Sequence, residues 1–159
     1  MALVTTARGT PAGTMLEDGH PTLIAFAANP TVAFWEKTVQ PPGMDGGDAI
    51  DQTTMHNETY RTFASRALAT MTEMTVTASY DPALYEDILD LINVEGSITI
   101  HFSDGSTVDF FGYLRVFAPQ EMSEGIQPEA QVTIQPTNRD PVTQVETPPN
   151  YKTSNGTDV

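Results

Sequence analysis

From Met74 to Phe117 the apolar residues change period twice, from two to about 3.6 and back to two, and a fold must accommodate both changes within one short span. In "EMTVTASY" Met74, Val76 and Ala78 take one face and Glu73, Thr75, Thr77 and Ser79 the other, which predicts a half-buried strand. "DPALYEDILDLIN" follows, with Asp81 placed to cap the free amides and Pro82 at the first helical position. Leu84, Ile88 and Leu91, widened by Tyr85, Leu89 and Ile92, form a stripe that should lie flat on a sheet. Gly96 to Phe102 alternates again, "SDGS" offers Asp104-Gly105 for a two-residue hairpin turn, and "TVDFFGYLRVF" returns. Gly112 in that strand predicts a bulge or a close backbone approach.

Around this centre the pattern is weaker. "TLIAFAA" (Thr22 to Ala28) and "TVAFWEKTV" (Thr31 to Val39), separated by Asn29-Pro30, predict two adjacent strands. The second is apolar on both sides, Val32 and Phe34 against Ala33 and Trp35, as in a strand buried between two layers or at a subunit contact. The return strand poses the same question, since Phe111, Tyr113 and Phe117 oppose Val108, Phe110, Leu114 and Val116 and so require a further layer from the subunit or a neighbour. Residues 40–69 show no clean period and predict a long loop that orders on a partner. "PEAQVTIQPTN" is a last alternating strand. The division is therefore an arm over 1–20, one β-domain over 21–138 and an extended Pro- and Thr-rich tail over 139–159.

Charge removes several functions. A net charge of −14 with only 7 Lys and Arg argues against a nucleic-acid binder that neutralises phosphates. No stretch approaches the roughly 20 apolar residues of a membrane-spanning helix, and "MALVTTARGTPAG" lacks a signal peptide's apolar core, so a soluble protein made in a cytoplasm is expected. The chain has no cysteine, which excludes disulfides and thiolate metal sites. No phosphate-binding glycine loop, helically spaced histidine pair or nucleophile elbow occurs. Asp45, Asp48 and Asp51 lack the closing glutamate of a calcium loop, and Glu86, Asp87 and Asp90 read as a solvated helix face. The expectation is no enzyme, no cofactor and no metal. Arg61 and Arg66, two of the few cations, should lie against carboxylates, with contacts between subunits as the sharper reading.

Five segments in this order, "FWEKTVQPPG", "AIDQTTMHNETYRTFASRAL", "SYDPALYEDILDLIN", "ITIHFSDGSTVDFFGYL" and "PEAQVTIQPTN", resemble the tail tube (major tail) proteins of long, non-contractile-tailed bacteriophages. The resemblance spans about Thr31 to Asn138 and rests on serial order rather than on one invariant motif. It implies a mainly β protein, a small β-sandwich or partial barrel with one flanking helix, assembled as hexameric rings with a continuous inner β-barrel. Stacked rings would form the conduit through which the genome leaves the virion. The implied partners are further copies of the chain, a tape-measure protein, tail-terminator and distal tail proteins, and double-stranded DNA that passes without sticking, with no membrane insertion. The implied location is the phage tail, assembled in the bacterial cytoplasm.

Under that resemblance the 40–69 loop becomes the arm that reaches the adjacent ring, with Arg61, Arg66, Trp35, Phe111 and Tyr113 at contacts between subunits. The acidity becomes a lumen lining, and the polar side of Glu73, Thr75, Thr77 and Ser79 is the expected lumen face. Two other readings remain open: a tail-completion or head-tail joining ring that does not stack, and a non-viral β-sandwich binding module whose long loop holds a ligand.

Overall fold

The computed structural model describes residues 20–30, 32 and 34–153. The expected N-terminal arm therefore lies almost wholly outside the described residues. One antiparallel sheet of seven strands dominates. Its members in chain order are β1 (Leu23–Phe26), β2 (Trp35–Gln40), β7 (Met74–Ser79), β8 (Gly96–His101), β9 (Thr107–Pro119), β10 (Glu129–Pro136) and β11 (Asn150–Lys152). In space the order is β1-β8-β9-β10-β7-β2, with β11 beside β9. Two-residue strands β3 (Met44–Asp45), β4 (Ile50–Asp51), β5 (Phe63–Ala64) and β6 (Thr70–Met71) form two small ladders outside it.

β9 is the strand on which both halves of the sheet depend. Its first half pairs with β8, from His101 opposite Thr107 to Gly96 opposite Gly112. Its second half pairs with β10, from Gly112 opposite Pro136 to Pro119 opposite Ala130. Gly112 therefore sits where the sheet changes partners, and a Cβ there would lie 2.7 Å from the Gln135 carbonyl oxygen. The close approach predicted for this glycine is real. A register shift between Thr133 and Ile134, which leaves Arg115 unopposed, adds local twist and helps the sheet curl.

The curl folds one face inward on a single core. Ile24, Phe26, Ile98, Ile100, Val108 and Phe110 from one half meet Met74, Val76, Ala78, Leu114, Val132 and Ile134 from the other. The sheet does not close into a barrel, nor does it divide into two sheets of a sandwich. Its edge strands β1 and β2 approach without forming a ladder. The Ile24 amide donates instead to the Glu36 carboxylate at 2.9 Å, and the rings of Phe26 and Phe34 meet edge to face at 6.0 Å. β1 and β2 are thus opposite edges rather than the adjacent pair expected.

The helix forms as its sequence dictates. Asp81 accepts from the Ala83 amide at 2.9 Å, a 3-10 turn covers Pro82–Leu84, and α1 runs Tyr85–Leu91. Ile88 and Leu91 are buried against the open inner side. The Ile92 and Asn93 backbone then contacts Leu114. The hairpin turn is one residue longer than predicted. The Phe102 amide donates to Ser106 at 2.9 Å and the Gly105 amide to Phe102 at 3.1 Å, leaving Ser103, Asp104 and Gly105 as the loop with Gly105 at φ 85°. Such a turn with a left-handed third residue matches strand twist as well as a two-residue one does. The Ser106 hydroxyl and amide hold the Asp104 carboxyl below the ordinary carboxylate range.

Three further expectations are corrected. β2 is an edge strand rather than a buried one: Val32 and Phe34 are buried before it begins, while Trp35 is 59% exposed. Among the described residues the subunit supplies no second large sheet for the outer side of β9, where Phe111 and Tyr113 are half-buried, so of the two sources expected for a further layer only a neighbour is left. The tail is not simply extended. Residues 140–145 turn through the Asp140 amide on Val145, and β11 then pairs with β9 from Lys152 opposite Thr107 to Asn150 opposite Asp109. A Lys152 to Asp109 ion pair at 3.4 Å holds the end of that ladder.

Two outcomes follow from the curl. Gly112→Ala should lower the urea midpoint by the equivalent of about 1–3 kcal/mol with an unchanged slope, because the atom it meets is backbone and cannot rotate away. Burial pushes the Glu36 carboxyl above its ordinary value of 4.5, opposed by backbone hydrogen bonds including that from Ile24. A raised folded-state pKa means that stability is fully present below the unfolded pKa and is lost as pH rises through the folded one. Glu36→Gln, which keeps an acceptor for Ile24, should match or exceed the parent in urea midpoint at pH 7. The gap should narrow as the pH is lowered toward 4.5 and stop changing below it.

Candidate functional site

Three surfaces stand out once the core is assigned: the outer face of the sheet, the arm, and a groove at one end of β2 and β7. The outer face follows from register, because residues paired across an antiparallel ladder project to the same side. Thr75 lies opposite Gln40 and Thr133, and Thr77 lies opposite Thr38 and Gln131. Gln135 lies opposite Tyr113. The result is a surface of hydroxyl and amide groups over four strands, with a shallow groove of about 340 Å³ between Thr38, Gln40, Thr75, Thr77 and Gln131.

This face brings together two of the four residues expected on it. Thr75 and Thr77 are there, half-buried. Glu73 precedes β7 and is drawn to the margin by Arg115 at 2.9 Å. Ser79 shares the side but is buried, its hydroxyl within 3.4 Å of the Gln127 side-chain oxygen. The charges on this side stand in pairs, Asp109 with Lys152 where β9 meets β11, Glu73 with Arg115 and Lys37 with Glu129, while Glu86, Asp87 and Asp90 lie exposed on α1. The amide partners Gln40, Gln131 and Gln135 were missed because they belong to strands read singly; only cross-strand register joins them.

The segment read as a structureless loop is a long two-stranded hairpin. Its base is pinned by Gly43 and Thr72, whose backbones bond at 2.8 Å. β3 pairs with β6 and β4 with β5, and Gln52 continues the ladder to Thr62 at 2.9 Å. Asn57 organises the tip, accepting from the Thr54 amide at 2.9 Å and donating to the Tyr60 carbonyl at 3.0 Å. Apart from Met71, the arm is largely exposed, including Met55, Tyr60, Phe63 and Leu68. Arg61 pairs across the hairpin with Asp51 at 3.2 Å. Arg66 has no carboxylate partner among the described residues and donates its Nε–H to the Asp48 carbonyl at 2.8 Å. Asp45 accepts from the Gly47 amide at 2.8 Å.

At the far end of β2, Trp35, Ser79, Tyr80, Asp81, Pro82 and Pro128 help to line a groove of about 400 Å³. Tyr80 is almost wholly buried, and its hydroxyl has no hydrogen-bond partner. Burial, with the neighbouring Tyr85 second, pushes the phenol pKa up. Tyr80, Tyr85, Phe117 and Phe34 form a connected aromatic cluster with ring separations of 5.1 to 6.4 Å.

No group of three or more His, Asp or Glu side chains is arranged to hold a metal ion among the described residues. No helix there is long and apolar enough to cross a membrane.

The fold has a counterpart among solved structures. It matches a chain in the cryo-EM structure of the anti-feeding prophage (AFP) baseplate, 6-fold symmetrised, with a TM-score of 0.51 over 73% of this chain and 87% of that one. Sequence identity is 7%, so what the two share is the fold. No protein-family model matches the chain, and no curated protein does.

The Arg61 pair is exposed on both sides and should contribute little to folding. Arg61→Ala is expected to change unfolding free energy by less than about 1 kcal/mol in urea titration, with the circular dichroism spectrum unchanged.

Proposed function

We propose that this chain is a structural subunit of a phage tail tube, in which six copies form a ring and rings stack into the conduit for genomic DNA. The main support is the fold shared with a chain of a six-fold phage-like baseplate. The order of the five sequence segments points the same way. On this reading the role is structural rather than catalytic, and the site of the protein is the virion. Tape-measure, tail-terminator and distal tail proteins are its further partners.

The outer sheet face lines the lumen in this reading. Duplex DNA carries one negative charge per roughly 1.7 Å, and a wall of lysines would hold it by releasing counterions. The threonines and glutamines of β2, β7 and β10 present no cation, so DNA slides past them. The pairing of Arg115 with Glu73, of Lys37 with Glu129 and of Lys152 with Asp109 neutralises the cations on or beside that face. The net −14 of the chain then acts at longer range rather than by direct contact.

A second reading is favoured by the baseplate source of the structural match: a ring at the end of a tube that does not stack on itself. Electron microscopy and size-exclusion chromatography of the purified chain separate the two. Long hollow filaments are expected for the tube subunit, single rings for the end ring, and a monomer at all concentrations would exclude both. Replacing Thr75 and Thr77 together with lysine should leave tubes intact and make them retain duplex DNA at low salt, releasing it as salt shortens the Debye length below about 10 Å. Variant tubes that retain no more DNA than the parent would exclude this face from the lumen.

A further inference from the structure

We infer that the mouth of the curled sheet, between the unpaired edges of β1 and β2, binds a small alkylammonium ion with Glu36 as its anion. Register puts this carboxylate where the rest of the sheet has apolar groups. Residues directly opposite each other in a ladder project to the same side. Glu36 lies opposite Ala78 and Val39 opposite Val76, so both stand on the inner, core-forming side of β2. Lys37 falls in the register shift between them and pairs instead with Glu129. Among the described residues that the ladders of the large sheet place on its inner side, Glu36 alone carries a charge.

The carboxylate opens onto a cleft. Phe26 and Phe34 meet at one end of the gap between the two edges, and the Ile24 amide bonds Glu36 further along. Beyond that bond lies a cleft of about 560 Å³, lined in part by His20, Thr22, Glu36, Val39, Pro41 and Phe102. Val39 and Phe102 are half-buried and pack against the core, which gives the cleft an apolar wall beside its one carboxylate. Small-molecule sites of this size are commonly built so, mostly apolar with a few placed polar groups.

The charge is what calls for a cation. An acceptor for the Ile24 amide is all the edge requires, and a glutamine would supply it without taking an ion out of water. No described Lys or Arg pairs with Glu36: five of them pair with other carboxylates, and Arg66 donates to the Asp48 carbonyl. A carboxylate has about four lone-pair sites, so the bond from Ile24 leaves it able to accept from an incoming N–H. A hard metal ion would need about six oxygen ligands, and no such cluster of side chains occurs among the described residues. An ammonium head on a short hydrocarbon tail suits both parts, donating to Glu36 while the tail covers Val39 and Phe102.

The cleft lies within one subunit, so the test is the same for a monomer, a ring or a tube. The probe is n-butylammonium chloride, titrated into the full chain at neutral pH against potassium chloride of equal ionic strength, with n-butanol as its uncharged isostere. Saturation-transfer NMR reads contact from the butyl protons whatever the size of the assembly. n-Butylammonium should saturate with a Kd on the order of 1 mM, and n-butanol should bind about tenfold more weakly or less well still. Glu36→Gln, which keeps an acceptor for Ile24, should weaken n-butylammonium about tenfold or more and leave n-butanol unchanged. Phe102→Ala, verified as folded by circular dichroism, should weaken both probes. n-Butylammonium should also raise the urea midpoint of the parent and not that of Glu36→Gln. A Glu36→Gln chain that binds n-butylammonium like the parent, a Phe102→Ala chain that binds both probes like the parent, or a parent that saturates with neither probe or prefers n-butanol would overturn the inference.

Discussion

Everything in this fold depends on one backbone contact, the approach of the Gln135 carbonyl to Gly112. Because no side chain stands between them, a single strand can pair with β8 through its first half and β10 through its second while the sheet turns about that point. The turn brings two rows of apolar side chains face to face, so one sheet of moderate size makes its own core without a second sheet to cover it. Any larger residue at Gly112 would push β10 away and open the space that Leu114 and Ile134 fill. α1 then needs to contribute only Ile88 and Leu91 to close the remaining side, which explains how so short a helix suffices.

The parts legible in the sequence were those in which one face is buried and the other wet. β7, β8, β10 and the first half of β9 fall in this class, and their alternation survives in the burial of Met74, Val76, Ala78, Ile98, Ile100, Val108, Phe110, Val132 and Ile134. Past the register shift, by contrast, Val116 turns outward and Phe117 packs on the core, and the helix buries Ile88 and Leu91 but leaves Tyr85 and Leu89 exposed. The arm was missed for the converse reason. Both of its faces are exposed, so no selection for an apolar side imposes a period on it, and its ladders rest on backbone bonds and on Asn57 and Thr72 instead. β11 was missed similarly: it is three residues long, and its partner lies some forty positions away on β9. Trp35 is exposed on an edge strand, so of the two readings of that strand the one that buries it between layers falls, and the contact between subunits belongs to the assembly reading.

The outer face illustrates what a single strand cannot reveal. Thr75 and Thr77 were identifiable from alternation in β7, yet the character of the surface is decided by Gln131, Thr133 and Gln135 from β10 and by Thr38 and Gln40 from β2. Around Thr75 and Thr77 the sheet sets uncharged hydroxyls and amides side by side, while the charges on the same side stand in pairs. The likeness to a baseplate chain at 7% identity fits this pattern, since a common fold needs the inward apolar rows and the bend, and leaves the outward rows free to differ.

The bond from the Ile24 amide to Glu36 bears on how the chain guards its sheet edges. Free strand edges invite any passing chain to add on, which is how β-rich proteins clump. Here the two edges are turned toward each other and one edge amide, that of buried Ile24, is occupied by a half-buried carboxylate. The edge amide is thus latched by a side chain rather than sealed into a backbone ladder.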